Sequence, residues 1–381
     1  MHEAVPVVGA EVPEKIALVM RRQRRSLRTL RAEGIILPAL LLVFVLAVTA
    51  FDGLVPVGLG LVLAFLPVPL VAAVLIRLDR FEPEPTRLLL RTFLWGAGAA
   101  TAIALVVNTG VGLLLGEDAA TIASAPVVEE SAKALALLFV IRRRPGFLDG
   151  VHDGIVYAAW VALGFATVEN VLYYATAWSE GGAEDMTVTF VLRGLLTPLC
   201  HPIFTAMTGI AIGLAVKRRG WRGWRIALVV VGLLLAIALH ALWNLSATVG
   251  AAPIAYVAGY LPLVIIGLAL LIAGARRERR ILREGLEPEV ERGTLDQAAY
   301  EQLIEGGRTR GRMRRKARRA GREARRLLYQ YEAAAYELAH ANRRGERPGR
   351  PNAVETAAAC RTCLNAARVG LAELAPGVVA T

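Results

Sequence analysis

The sequence predicts an all-α, polytopic membrane helix bundle of about eight transmembrane helices, followed by a helical cytoplasmic tail. Of the 381 residues, 55% are hydrophobic, and the mean hydropathy of +0.49 is too high for an ordinary soluble domain. Long apolar runs lie at 34–51, 53–76, 92–116, 119–141, 151–177, 186–216, 225–249 and 251–274. Each run is near or above the ~18–20 residues that a helix needs to cross ~30 Å of hydrocarbon.

The charges between these runs alternate, and the alternation predicts the orientation of the chain. Lys and Arg cluster before the first run, after the second, fourth and sixth runs, and after the last one. The other connections contain no Lys or Arg, and two of them are acidic, at 117–118 and 180–185. The positive-inside rule therefore predicts a multi-pass protein of the cell membrane with both termini in the cytoplasm.

Composition divides the chain into three parts. Residues 1–33 form a basic cytoplasmic lead, residues 34–275 the eight-span bundle, and residues 276–381 a basic helical cytoplasmic tail. The tail contains 23 Lys/Arg and 14 Asp/Glu, so it carries +9 of the net charge of +12. Its helices are predicted at 296–305, about 308–343 and 352–374, separated by glycine and proline positions.

Ionisable residues interrupt four of the apolar runs, at Glu129–Glu130, Glu169, His201 and His240. Such side chains are expensive in hydrocarbon unless they are paired, so each is a candidate functional residue. Counting helix rise from the ends of the runs places all of them ~12–22 Å from the outer edge of the bilayer. This common depth predicts one reaction centre inside the membrane.

Two chemistries suit this set of carboxylates and imidazoles. In the first, His201, His240 and a glutamate, for which we predict Glu169, bind Zn²⁺, while Glu129 or Glu130 activates the bound water. In the second, no metal takes part, and a glutamate and a histidine act directly as general base and acid.

Three further polar residues accompany the set. Lys133 lies one helical turn beyond both Glu129 and Glu130, where it can hold one carboxylate ionised. Asn170 and Asn244 are neutral hydrogen-bonding groups that we predict to orient a ligand or to polarise a scissile carbonyl.

The same residues resemble the motifs of a known family. Glu129-Glu130-Ser-Ala-Lys133 matches its Glu-Glu-x-x-Lys motif, and Phe165-Ala-Thr-Val-Glu169-Asn170 matches its Phe-x-x-x-Glu-Asn motif. His201 and then His240-Ala-Leu-Trp-Asn244 match its last two motifs. Over about residues 75–275 the chain resembles PrsW-type intramembrane proteases, which are related to the CAAX-protease and bacteriocin-processing group. The resemblance implies cleavage of membrane-anchored proteins, such as anti-sigma factors, near the outer membrane face.

Two other classes of function stay open at this point. Buried carboxylates and histidines also form proton relays, so a proton- or cation-coupled transporter is an alternative. Transporters often contain two related halves, and no convincing repeat relates 34–150 to 151–275. A catalytically silent membrane scaffold is the other alternative, and it predicts that the four polar positions tolerate alanine.

The tail predicts a partner of its own. Eleven basic residues lie between Arg308 and Arg326. A basic segment close to the cytoplasmic face is attracted to anionic lipid headgroups, which we expect as its partner. No nucleic-acid-binding motif accompanies this charge, so nucleic acid is not expected.

Overall fold

The computed structural model describes residues 53–79, 84–143, 147–148, 150–217, 222–305, 307–345 and 352–379. The predicted basic lead (1–33) and the first predicted span (34–51) lie outside these residues. Every secondary-structure element in the described ranges is helical, as predicted. These residues belong to two compact units, a bundle that ends at Ile272 and a tail unit that begins at Ala273.

The bundle is built from ten α-helices, some of them joined by π-helical turns, within the ranges given above. They are α1 (Leu54–Phe65), α2 (Val68–Leu78), α3 (Thr86–Leu94), α4 (Thr101–Leu115), α5 (Ala125–Arg143), α6 (Val151–Phe190), α7 (Cys200–Lys217), α8 (Arg222–Thr248), α9 (Ala252–Ala255) and the first part of α10 (Leu261–Glu291). The π-helical turns are Trp95–Ala100, Ala119–Ser124, Val191–Leu196 and Tyr256–Tyr260. Such turns are frequent at functional sites.

Five segments of the described chain are long and apolar enough to cross a membrane. They are Leu54–Arg77, Thr86–Leu115, Val151–Val216, Arg222–Thr248 and Ala252–Glu291. The predicted span 119–141 is not among them, because Glu129, Glu130 and Lys133 make it too polar. A multi-pass membrane protein is therefore supported, and the number eight stays a prediction.

The segment Val151–Val216 is interrupted between two of the predicted spans. Gly181 and Gly182 have non-helical backbone angles inside α6, and Gly182 has φ of 70°, which favours glycine. This break falls within the connection predicted between the runs 151–177 and 186–216.

Helix α6 is the centre of the bundle and brings the polar residues of its neighbours together. It packs against α7, α1 and α3, and its side chains Tyr157, Val161 and Phe165 are buried. Gly154 and Gly209 lie where α6 crosses α7, and a Cβ atom on either glycine would collide with the backbone of the other helix. Glycine thus allows close helix approach, as is common in membrane bundles.

The tail unit has a core of its own. Its helices are the end of α10, then α11 (Gln297–Ile304), α12 (Gly307–Ala320), α13 (Arg322–Gly345) and α14 (Asn352–Leu374). The single helix predicted over 308–343 is broken at Gly321, whose φ of 113° is accessible to glycine but unfavourable for other residues. Leu286, Leu338 and Leu364 are fully buried in this unit.

Candidate active site

Helix α5 presents one cation and two carboxylates on a single face. The Lys133 Nζ atom donates to Glu130 Oε1 at 2.8 Å and to Glu129 Oε2 at 3.4 Å. It also lies 3.9 Å from the centre of the Phe165 ring. The Lys133 side chain has no exposed surface, so it depends on these partners for the stability of its charge.

Glu130 is fully enclosed by hydrogen-bond donors. Its Oε2 atom accepts from the Thr205 hydroxyl at 2.8 Å, and its Oε1 atom contacts His240 Nδ1 at 3.1 Å as well as Lys133. An ionised carboxylate only accepts hydrogen bonds, so Nδ1 of His240 carries the proton in this contact. The Nε2 lone pair of His240 is then directed elsewhere, and this atom lies 3.9 Å from Glu129 Oε2.

A second carboxylate orients the other histidine. His201 Nε2 contacts Glu169 Oε2 at 2.8 Å, while His201 Nδ1 lies 3.1 Å from Lys133 Nζ. Because the lysine ammonium only donates, Nδ1 accepts and Nε2 carries the proton that is donated to Glu169. The two imidazole rings are 5.0 Å apart between their centroids. Each histidine is therefore held by its own glutamate, the arrangement that orients histidine ligands in many metal sites.

Three buried residues could hold a metal ion. Ligand atoms of Glu129, His201 and His240 all lie within 4.8 Å of one another. Two imidazoles and one carboxylate are a donor set that suits catalytic zinc, with a fourth position left for water. The residues therefore fit such an ion by their chemistry. Glu169, the carboxylate predicted as the third ligand, is not part of this group, and Glu129 takes its place.

Glu169 is engaged by a charged partner instead. The Arg193 guanidinium donates through Nη2 to Glu169 Oε2 and through Nε to Asn170 Oδ1, the latter at 2.8 Å. It also lies 3.7 Å from the centre of the Tyr173 ring. These contacts tie Glu169 and Asn170 to the π-helical turn Val191–Leu196, which carries Arg193.

Arg193 is a site residue that the sequence motifs do not include. Its signal in the sequence is a single arginine inside the apolar run 186–216. By the same physical rule that singles out Glu169, an isolated charge in such a run needs an internal partner.

The two asparagines of the predicted site lie beside the centre. The Asn244 side chain donates through Nδ2 to the Thr121 carbonyl at 2.9 Å, so its own carbonyl oxygen is left to accept. Asn170 accepts from Arg193 through Oδ1, so its Nδ2 hydrogens are left to donate.

Two cavities border the centre. The small cavity, about 30 Å³, is bounded by Glu169, Asn170, Arg193, His201, His240 and Asn244 among others. It has room for about two or three water molecules, since a water needs roughly 10–15 Å³ measured in this way. The long cavity, about 370 Å³, has both Glu129 and Glu169 in its wall. The centre therefore has space for water on one side and for a larger molecule on the other.

Known proteins resemble this chain across the bundle. Residues 84–270 match the PrsW family, described as PrsW family intramembrane metalloprotease. The Protease PrsW of Geobacillus kaustophilus is 33% identical over 171 residues, which cover 44% of this chain and 69% of the relative. The Protease PrsW of Bacillus subtilis is 32% identical over 143 residues, 36% of this chain and 60% of the relative.

A third relative has the same name. The Protease PrsW of Clostridioides difficile is 30% identical over 171 residues, 44% of this chain and 69% of the relative. No solved structure matches the chain significantly. The family match ends at residue 270, before the tail unit, and it includes all the polar residues of the centre. The resemblance that the motifs indicated is confirmed, and the chain belongs to the PrsW family of intramembrane proteases.

Proposed function

We propose that this chain is an intramembrane peptidase that hydrolyses peptide bonds of membrane-anchored proteins at the Glu129–His201–His240 centre. The observation that carries the proposal is the pair of buried histidines, each oriented by a different glutamate and both bordering a cavity of water size. Hydrolysis requires a positioned water and groups that move protons, and this arrangement supplies a place for both.

We propose that Glu129, His201 and His240 hold a zinc ion. When bound, zinc lowers the pKa of its water to about 7 and polarises the scissile carbonyl. Lys133 contacts His201 Nδ1, the nitrogen left without a proton, so metal binding through that nitrogen requires Lys133 to give up the contact. Without metal, the Lys133 ammonium keeps its contacts with Glu129, Glu130 and His201, and a glutamate acts directly as the base.

The other polar side chains have separate roles in the proposal. Glu130 and Glu169 hold the two imidazoles in the required tautomers. Glu169 also borders both cavities, where a carboxylate can accept a proton from water and return it to the leaving amine. Asn170 offers its Nδ2 hydrogens to the oxygen that gains negative charge in the transition state.

We propose a membrane-anchored, anti-sigma-factor-like protein as substrate, cut near the outer membrane face, with both termini of the peptidase in the cytoplasm. The family resemblance supports the substrate class, and the alternation of basic connections supports the orientation.

We also propose that the tail binds anionic lipid headgroups. The side chains of Arg312, Arg315, Arg318, Arg319 and Arg322 are exposed on α12 and at the start of α13. The test measures binding of the detergent-solubilised full chain to bicelles. Binding to phosphatidylglycerol bicelles is expected to be stronger than binding to phosphatidylcholine bicelles, and the double variant Arg315→Glu with Arg319→Glu is expected to weaken it. Equal binding of the two lipids would contradict it.

The peptidase is tested by co-expression with an anti-sigma factor tagged at both ends. The parent chain is expected to release the outer tagged fragment and to leave a shortened fragment with the cytoplasmic tag in the membrane. Glu130→Ala, Glu169→Ala, His201→Ala and His240→Ala are each expected to insert into the membrane and to release little or none. Thr187→Ala, which removes an exposed hydroxyl from α6, is the matched control and should cleave normally. Normal processing by all four site variants would contradict the proposal.

A further inference from the structure

The long cavity follows two helices from the reaction centre toward their C-terminal ends. Along α4 its wall includes Thr101, Asn108 and Leu113, and along α6 it includes Phe165 and Thr176. The two stretches cover 13 and 12 residues, which correspond to a rise of ~17 Å along the helices. An extended peptide rises ~3.3 Å per residue, so this length matches about five residues of unwound chain.

The deep end of this cavity is the reaction centre itself. Glu129 and Glu169 lie in its wall, and Phe165, one turn before Glu169, contacts both Lys133 and the His201 ring. A peptide that fills the cavity therefore reaches the groups proposed to cleave it. The small residues Ala104, Ala120 and Ala125 also line the cavity and leave its width free for side chains of the occupant.

Polar groups with unused hydrogen-bonding capacity line the cavity between its ends. Asn108 accepts from Ser124 through Oδ1 at 2.8 Å, which leaves its Nδ2 hydrogens to donate. The hydroxyls of Thr109, Thr121 and Thr176 form no hydrogen bond with any residue that the structure describes. A lipid acyl chain gains nothing from such groups, whereas an unwound backbone inside a bilayer must find hydrogen-bond partners there.

We propose that the long cavity binds the substrate as an extended segment of about five residues, unwound from the outer end of its transmembrane helix. The inference rests on the proposed peptidase function and adds the form in which the substrate is recognised. In an intact helix the carbonyl groups accept hydrogen bonds from the residues four positions later, and the surrounding turns cover them. Substrates with glycine, serine or β-branched residues in this segment unwind at lower cost and are preferred.

Blocking variants test the cavity directly. Thr109→Trp and Thr176→Trp each place a large side chain in the long cavity. Both positions are exposed, so neither substitution disturbs the packing of the buried core. Val106→Trp is the matched control, because Val106 is on the same helix, is 73% exposed and does not line the cavity. With the doubly tagged anti-sigma factor, both blocking variants are expected to lower the cleavage rate at least ~10-fold, which corresponds to 1.4 kcal/mol, while the control keeps it. Equal rates for all three variants would overturn the inference.

The substrate supplies a second test. Replacing five residues around the cut with leucine and alanine is expected to lower cleavage, and a Gly-Ser pair placed there should restore it. Unchanged cleavage of the leucine-alanine substrate would overturn the requirement for unwinding.

A binding measurement separates this inference from the peptidase proposal. A photo-crosslinking amino acid at position 109 of the Glu129→Gln variant is expected to capture the tagged anti-sigma factor, and one at position 106 is not. Capture at 109 with a parent chain that cleaves nothing would overturn the peptidase proposal and keep the binding site. Crosslinks at 109 to phospholipid alone, or equal capture from both positions, would overturn the cavity inference.

Discussion

The bundle and the tail unit each bury a glutamate completely, and only one of these glutamates is part of a candidate reaction centre. Glu289 in the tail accepts two hydrogen bonds from Arg361, one from Asn342 and one from Arg292, all at 2.8 Å. Glu130 in the bundle is equally well satisfied by Lys133, His240 and Thr205. Burial and pairing of a charge therefore do not distinguish a functional site from a structural one.

The surroundings of the two carboxylates make the difference. Around Glu289 the partners form hydrogen bonds with the glutamate, with each other and with the Gly285 carbonyl, and these bonds hold α10, α13 and α14 of the tail together. Around Glu130 the partners lead to two further carboxylates and two imidazoles that border cavities. A reaction centre needs groups that are held in place and still face open space, which the bundle cluster provides.

The largest effect is expected when a buried glutamate loses a cationic partner. Lys133→Met leaves Glu130 with only His240 and Thr205 as hydrogen-bond donors, so the free energy of unfolding should fall by about 3–5 kcal/mol and cleavage should be lost. Arg361→Met should cost less, because Arg292 and Asn342 remain on Glu289. Thermal unfolding in detergent and cleavage per folded molecule check both. If Arg361→Met folded fully and still lost cleavage, the distinction between a reaction centre around Glu130 and a structural cluster around Glu289 would be contradicted.

Glutamates that orient a histidine allow a more selective comparison. Glu169→Gln weakens the hold on His201 and removes the carboxylate proposed to transfer protons, so it is expected to lower cleavage at least about 100-fold. In the tail, Glu278 lies 3.4 Å from His340 Nε2, so Glu278→Gln is the matched control and should leave cleavage unchanged. The two rates, measured on the same tagged substrate, check the prediction. Similar rates for both variants would count against an orienting role for Glu169.

Close approach of α6 and α7 should matter for positioning His201. Gly154→Ala adds a Cβ that collides with the backbone at Gly209, so the free energy of unfolding should fall by about 1–3 kcal/mol. Gly267→Ala, on α10, meets open space and serves as the control. Thermal shifts of the two variants check this, and an unchanged transition in Gly154→Ala would contradict the packing described for α6 and α7.

The smallest effect is expected from the exposed partner in the tail. The Arg292 side chain is 54% exposed, so its pair with Glu289 is largely hydrated. Arg292→Ala should change the free energy of unfolding by about 0–1 kcal/mol and leave cleavage unchanged. A loss as large as that of Arg361→Met would show that exposure is a poor guide to the strength of these contacts.

Sequence reasoning could predict the helical class and the ionisable residues that the structure brings together, because ionisable groups in apolar runs carry a strong physical signal. It could not predict which carboxylate lies within reach of both imidazoles. The rotation of α5 and α6 about their own axes decides whether Glu129 or Glu169 faces both histidines. That rotation depends on helix packing, such as the crossing at Gly154 and Gly209. Arg193 is a lone charge in an apolar run, so the same physical rule is sufficient to identify it as a candidate site residue.

The tail illustrates a different limit. Gly321 breaks the predicted helix 308–343, yet a glycine inside a helical pattern is compatible with either a break or an intact helix. Two partners of Glu289, Asn342 on α13 and Arg361 on α14, are 53 and 72 residues away in sequence, so no local pattern indicates them.

Metal content is the most direct test of the central claim that Glu129, His201 and His240 form a metal-binding reaction centre. Elemental analysis of the purified parent chain is expected to find about one zinc ion per chain, with the same content in Arg361→Met as the control. Glu129→Gln and His240→Ala are expected to lose most of it, because each removes one of the three proposed protein ligands. Equal zinc in parent and ligand variants, or a fully active parent without zinc, would contradict the claim.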